Sequence, residues 1–148
     1  MEIDEKVVCS YNAMFAEELQ YKTQSVVGWN LKPDILIHGS PCQDMSIVGN
    51  QGKAGGRINR GKGADEGSGT RSSLMWETIH IIQNMREWKP KFVIWENVKN
   101  VLNSYNKKNF EKYLSEMENL GYTNSYKVLD ARNFGIPQAR NVYLQFHL

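Results

Sequence analysis

Apolar residues recur at helical intervals in three stretches of this chain and form short unbroken runs between them. Val8, Tyr11, Phe15 and Leu19 share one helical face and predict a helix over 5–20. Leu74, Thr78, Ile81, Met85 and Trp88 do the same for 72–88, with Ser72 and Ser73 as candidate N-caps and Lys89-Pro90 as the stop. Phe110, Tyr113, Leu114, Met117 and Leu120 predict a third helix over 107–120, ended by Gly121. Residues 35–38 and Phe92-Val93-Ile94-Trp95 are brief apolar runs of the kind buried strands show, and Ser125 to Leu129 and Val142 to Phe146 read as later strands. Strands alternating with amphipathic helices predict one α/β domain with a largely parallel sheet.

In such a sheet, ligands bind outside the carboxyl ends of the strands. Two chemically capable residues fall there. HGSPCQDMS, residues 38 to 46, brings Cys42 to the front of a loop after the first strand, and KFVIWENVKN brings Glu96 to the end of the second. A strand–helix–strand unit opens both ends on one edge of the sheet, so thiol and carboxylate would face one cleft. A lone cysteine is otherwise a small buried hydrophobe, and a free thiol with a pKa of about 8.5 needs help from its site to be a nucleophile. Glu96 is either a surface ion-pair partner or a partly buried acid whose raised pKa lets it donate a proton. Asn97 can order the neighbouring loop by side-chain to backbone hydrogen bonds. FGIPQARN, residues 134 to 141, places Gln138 and Arg140 just before the last strand; Arg140 is either a surface ion pair or a fixed donor fork reaching the cleft.

The loop over 44–70 holds eight of the twelve glycines, with Lys53, Arg57, Arg60 and Lys62 against Asp44, Asp65 and Glu66. A loop this long is either functional or a solvated insertion, and its glycines predict mobility. Its basic majority suits a polyanion. GRINRGKG, residues 56 to 63, nearly matches a phosphate-binding loop, but Gly63 stands where the metal-binding hydroxyl belongs and no strand directly precedes it. The formal net charge of +2 excludes a strongly basic nucleic-acid module without excluding a local patch. No run of 18 apolar residues and no secretory leader is visible. Cys9 and Cys42 make no disulfide framework, and His38, His80 and His147 are scattered, with no metal-binding spacing.

Pro41-Cys42-Gln43, then Arg71-Ser72-Ser73-Leu74, then Glu96-Asn97-Val98, then Gly135-Ile136-Pro137-Gln138-x-Arg140 resemble the ordered motifs of cytosine-C5 DNA methyltransferases. The resemblance implies a Rossmann-like, S-adenosylmethionine-dependent methyltransferase core with a mostly parallel sheet, cytoplasmic and of bacterial or phage type, acting on duplex DNA in a restriction-modification setting. It implies that Cys42 adds to C6 of a flipped cytosine while Glu96 contacts the N3/N4 edge. Pro41 and Gln43 would shape the Cys42 turn, Asn97 would order the loop after Glu96, and Arg140, with Gln138, would position Glu96 or the base. Glu2 and Ile3 resemble the ribose and adenine contacts of the cofactor, with Pro41 and Leu74 beside it.

The match also departs from the family pattern. Residues 1–148 do not spell the family's opening strand and FxGxG-type turn or its DNA-reading domain, so the sheet is expected to be incomplete at its N-terminal strand. The usual QxRxR reads Gln138-Ala-Arg140-Asn-Val142 here. An edge left beside the first strand would need covering, by self-association or a second chain. Three readings follow: a DNA methyltransferase core, a non-catalytic fragment or half of a split enzyme needing a partner chain, and a tRNA methyltransferase with the same motifs.

Overall fold

The computed structural model describes residues 2–29, 32–41, 64–67, 69, 72–104 and 106–148. The chain divides at Leu31/Lys32 into two compact units.

The first unit carries helix α1, Glu5–Met14, capped by the Asp4 carboxylate, which accepts from the Lys6 amide at 2.9 Å. The helix stops six residues short of the expected end. Asn12 explains the reversal: its carboxamide clamps the Tyr21 backbone, donating to the carbonyl at 2.8 Å and accepting from the amide at 2.9 Å. Of the four residues expected to face inward only Val8 is buried; Tyr11, Phe15 and Leu19 are exposed, although Tyr11 packs on Phe15 and Tyr21.

The second unit is built on four strands: β1 (Ile35–His38), β2 (Phe92–Val98), β3 (Asn124–Asp130) and β4 (Asn141–His147), in the order β1-β2-β4-β3. A 3-10 turn, Ser72–Leu74, leads into helix α2, Met75–Met85, and Lys107–Asn119 form α3. Strands β1 and β2 pair parallel, Ile35 with Phe92 through His38 with Trp95, as a strand–helix–strand unit requires. The rest corrects the mostly parallel expectation. Strand β4 inserts between β2 and β3 and runs antiparallel to both, so the sheet is mixed. No helix of α-type lies between β3 and β4, and a connection this short can only return the chain antiparallel.

Helices α2 and α3 cover one face of the sheet. Trp95 and Tyr143 on that face pack against Tyr113 and Phe110 of α3, with ring centroids 4.8 and 5.6 Å apart, and Trp76 of α2 meets Tyr113 edge-on. Thr78, Ile81 and Met85 are buried on α2 as expected, but Trp88 is exposed. The N-cap expected at Ser72 or Ser73 falls instead at Leu74, because the serines begin the 3-10 turn. Phe110, Tyr113 and Met117 are buried on α3, and Gly121 follows its last turn at φ +89°, a conformation glycine adopts without strain. The opposite face shows Ile35, Ile37 and Phe92 exposed, and β1 and β3 are the two edges of the sheet among the described residues.

Candidate functional site at the carboxyl ends of two parallel strands

The parallel register carries the ends of β1 and β2 to one edge of the sheet, and three consecutive β2 residues meet the segment that leaves β1 there. Strand alternation sends Trp95 and Asn97 to the helix-covered face and Glu96 to the other. On the covered side, the Trp95 indole Nε1 donates to Ser40 Oγ at 3.0 Å, and Asn97 Nδ2 donates to the Ser40 carbonyl at 3.2 Å and to Oγ at 3.3 Å. On the other side, the Glu96 carboxylate lies against Gly39: a Cβ there would stand 3.2 Å from Oε2. Asn97 Oδ1 also accepts from the Val98 amide at 2.8 Å, so one carboxamide ties together both strand exits.

Arg140 comes from the connection between β3 and β4. Its Nη2 lies 3.9 Å from Glu96 Oε1. Hydrogen bonds from Ala131 N to Arg140 O and from Arg140 N to Gln138 O, both 2.9 Å, fold this connection back on itself, and Gly135 at φ +76° supplies its tight turn. Glu96 and Arg140 keep 44% and 59% of their side-chain surface exposed, so water screens the pair and its worth to stability is small. Gln138 is exposed on the same connection, and Pro41 is half-buried after Ser40. The structure thus brings Pro41, Glu96, Asn97 and Arg140 to one edge. Cys42 and Gln43, the Gly56–Gly63 stretch, Arg71 and most of the expected mobile loop lie outside the described residues.

The far end of that loop is described. Ala64 is fully buried and its carbonyl accepts from Trp76 Nε1 at 2.8 Å; Asp65 accepts from Asn109 Nδ2 at 2.8 Å, and Glu66 pairs with Lys112 at 2.5 Å. The chain is therefore pinned to α2 and α3 before it enters the turn at Ser72.

A buried polar layer supports the strand ends. The His38 ring stacks on Trp95, 6.1 Å between centroids and 6° from parallel, while its Nδ1 meets Thr78 Oγ1 and its Nε2 meets Tyr113 Oη, each at 3.3 Å. Burial pushes the imidazole down to about 3, with His147 adding to the effect, so His38 is neutral at physiological pH.

Glu2 and Ile3 lie in the first unit, Pro41 and Leu74 in the second. Glu2 Oε1 accepts from the amides of Ile3 and Asp4 at 2.7 and 2.9 Å, which fixes its carboxylate, and the Ile3 side chain is exposed beside it. An oriented acceptor next to an apolar side chain fits a ribose diol and a purine face. Among the described residues no group of three metal-ligating side chains occurs, and no helix is long and apolar enough to cross a membrane.

Ser40, Trp95 and Gly39 were not singled out from sequence. The signal was present for one of them: in FVIWENV, strict alternation sets Trp95 and Asn97 on one face, opposite to Glu96, and so marks Trp95 as part of the site's wall.

A family model for C-5 cytosine-specific DNA methylase matches residues 1–144. Type II methyltransferase M2.ScrFI of Lactococcus lactis subsp. cremoris is 47% identical over 107 residues, covering 72% of this chain and 26% of that protein. The orphan methyltransferase M.SssI of Spiroplasma monobiae is 34% identical over 142 residues, 93% of this chain and 34% of its own length. The solved Entamoeba histolytica methyltransferase EhMeth superimposes with a TM-score of 0.66 at 19% identity, over 99% of this chain and 42% of that one, a likeness of fold alone. The chain spans about a quarter to a third of the length of these curated relatives.

Proposed function

The chain belongs to the C-5 cytosine-specific DNA methylase family, and we propose that it supplies the cytosine-binding wall of a DNA (cytosine-5)-methyltransferase. The observation that carries this reading is the Glu96–Arg140 pair beside the Ser40–Pro41 turn, where a carboxylate and a guanidinium meet at the mouth of two parallel strands. A cytosine ring offers an acceptor at N3 and an amino donor at N4. A carboxyl group can meet that edge in plane, favouring a proton at N3 as negative charge builds in the ring. Arg140, fixed by its folded-back connection, sets the orientation of that carboxyl group.

Cys42 follows Pro41 by one residue. Its thiolate forms a bond to C6 of a cytosine extruded from the duplex, which makes C5 nucleophilic. S-adenosylmethionine would supply the methyl group that C5 takes and leave as S-adenosylhomocysteine, with the Glu2 carboxylate and Ile3 of the first unit offering contacts to its ribose and adenine. Loss of the C5 proton then returns the electron pair to the ring and breaks the C6–S bond, restoring the thiolate. The glycine-rich basic stretch between residues 44 and 70 contributes charge toward the DNA backbone.

The test is covalent trapping. The full-length protein, incubated with S-adenosylmethionine and a duplex containing 5-fluorocytosine, should give a denaturant-stable adduct, because fluorine at C5 blocks the last step. Cys42→Ala should abolish it. An adduct that persists in Cys42→Ala defeats the mechanism, and trapping on tRNA with none on duplex DNA transfers it to the RNA-modifying branch.

One observation favours a second reading, in which residues 1–148 do not act alone. Ile35 and Ile37 are 53% and 69% exposed on β1, which has a strand neighbour on one side alone among the described residues. A further polypeptide segment laid beside β1, from a longer chain, a partner chain or a second copy, removes that hazard. Calorimetry of residues 1–148 with S-adenosylmethionine decides: no binding is expected, and tight binding would sink this reading.

A further inference from the structure

The motif residues do not account for how the turn before Cys42 is held. The backbone leaving β1 is gripped from both sides of β2. Trp95 and Asn97 hold Ser40 on the helix-covered face, and Glu96 leans on Gly39 from the other. Ser40 Oγ accepts two hydrogen bonds, one from an indole whose residue is fully buried and one from a carboxamide that is 2% exposed. Trp95 is itself immobilised: it stacks on His38 and packs on Tyr113 and Tyr143. His38, in turn, is bonded at both ring nitrogens to α2 and α3. A continuous set of contacts thus runs from the helices, through the His38 and Trp95 rings, to one serine hydroxyl two positions before Cys42.

We propose that Ser40 is a positioning residue, whose hydroxyl, seated between Trp95 and Asn97, fixes the Gly39–Pro41 segment against Glu96. Asn97 reaches the Ser40 carbonyl and hydroxyl from a single nitrogen, which leaves a rocking freedom about that point. The second anchor, Trp95 to the hydroxyl, removes that freedom. Buried donors in a rigid aromatic cluster hold a geometry better than an exposed ion pair does, so the Glu96–Arg140 pair inherits its placement from this grip. The proposal rests on the reading that Glu96 acts on cytosine, and its test must separate the two.

The full-length protein, with Cys9→Ser so that Cys42 can be followed by alkylation, would carry Ser40→Ala, Ser40→Thr or Trp95→Phe. Ser40→Ala takes away the hydroxyl, Trp95→Phe takes away the donor while keeping the ring, and Ser40→Thr keeps the hydroxyl. The expected result is a drop in kcat of about tenfold for Ser40→Ala and Trp95→Phe with the KM for DNA within about twofold, and recovery in Ser40→Thr. A kcat in Ser40→Ala within twofold of the parent overturns the proposal. So does a loss of kcat that follows the melting temperature across all three variants, since a merely structural hydroxyl behaves that way. If the parent itself transfers no methyl group, the functional reading has failed, and iodoacetamide then decides on positioning alone. A severalfold change in the Cys42 alkylation rate in Ser40→Ala supports the grip, and an unchanged rate refutes it.

Discussion

At the scale of single residues, the site turns on how closely Glu96 is approached. Gly39 has no side chain where a methyl group would come within 3.2 Å of Glu96 Oε2, tighter than an ordinary van der Waals contact. Gly39→Ala must therefore push the carboxylate away from its place by a few tenths of an ångström. Methyl transfer by the full-length protein should fall about tenfold, a misplacement effect, with the melting temperature lowered by only a few degrees; normal turnover in Gly39→Ala would show that the Glu96 position is not critical. Arg140→Gln makes the complementary case. The pair is half-exposed, so its loss should change unfolding free energy by less than about 1 kcal/mol while turnover drops, measured side by side by urea melts and tritiated methyl transfer. Equal losses in both would assign Arg140 to the fold. Glu96, Asn97 and Arg140 were legible in sequence because they are spelled in short ordered motifs. Ser40 was not, because its importance lies in a tryptophan 55 positions away, and nothing in a linear pattern pairs the two.

At the scale of elements, the sequence located the strands well and the helix ends less well, for definite reasons. Strand 35–38 and the starts of β2 and α3 fall where the apolar pattern puts them. Pairing direction is a different matter, since alternation looks the same in either direction. The clue was the ten-residue link of residues 131–140, too short for a parallel crossover. Helix α1 ends early because Asn12 captures Tyr21, a contact outside the helix and invisible to periodicity. The end of α2 holds the one strained non-glycine residue among those described: Arg86 caps the helix at φ +50° and ψ −118°. A side chain raises the energy of that conformation, by about 1–3 kcal/mol, and glycine adopts it freely. Arg86→Gly should therefore raise the melting temperature of the protein, against the usual cost of placing glycine near a helix. A lowered melting temperature would mean that the Arg86 side chain contributes contacts worth more than the strain.

At the scale of the whole molecule, the second unit carries a polar layer in its core, and that layer makes stability depend on pH. Asn124 Nδ2 donates to the Leu114 carbonyl at 3.0 Å and to Glu118 at 2.9 Å, which turns its Oδ1 toward His147 Nδ1, 2.5 Å away. Nδ1 therefore carries the proton, and Nε2, buried and without a partner among the described residues, is left bare. Burial pushes His147 down to about 4 and His38 to about 3, both from an ordinary value of 6.5. The ring partners Thr78, Tyr113 and Asn124 include no acid that would favour the charged form. In the unfolded chain both rings take up protons near 6.5; in the folded chain they resist until about 4 and 3. Between those limits the unfolded state binds more protons, so stability is full above 6.5 and falls as pH drops, by up to about 1.4 kcal/mol per pH unit for each ring. Urea midpoints should thus decline steeply from pH 6.5 to 5, before the carboxylates titrate. His147→Asn, which removes one of the two rings, should give a shallower slope over that interval even if it is less stable at pH 7. A midpoint flat across this range in the parent protein, or a slope untouched by the substitution, would show that the two rings are hydrated and free to charge in the folded state.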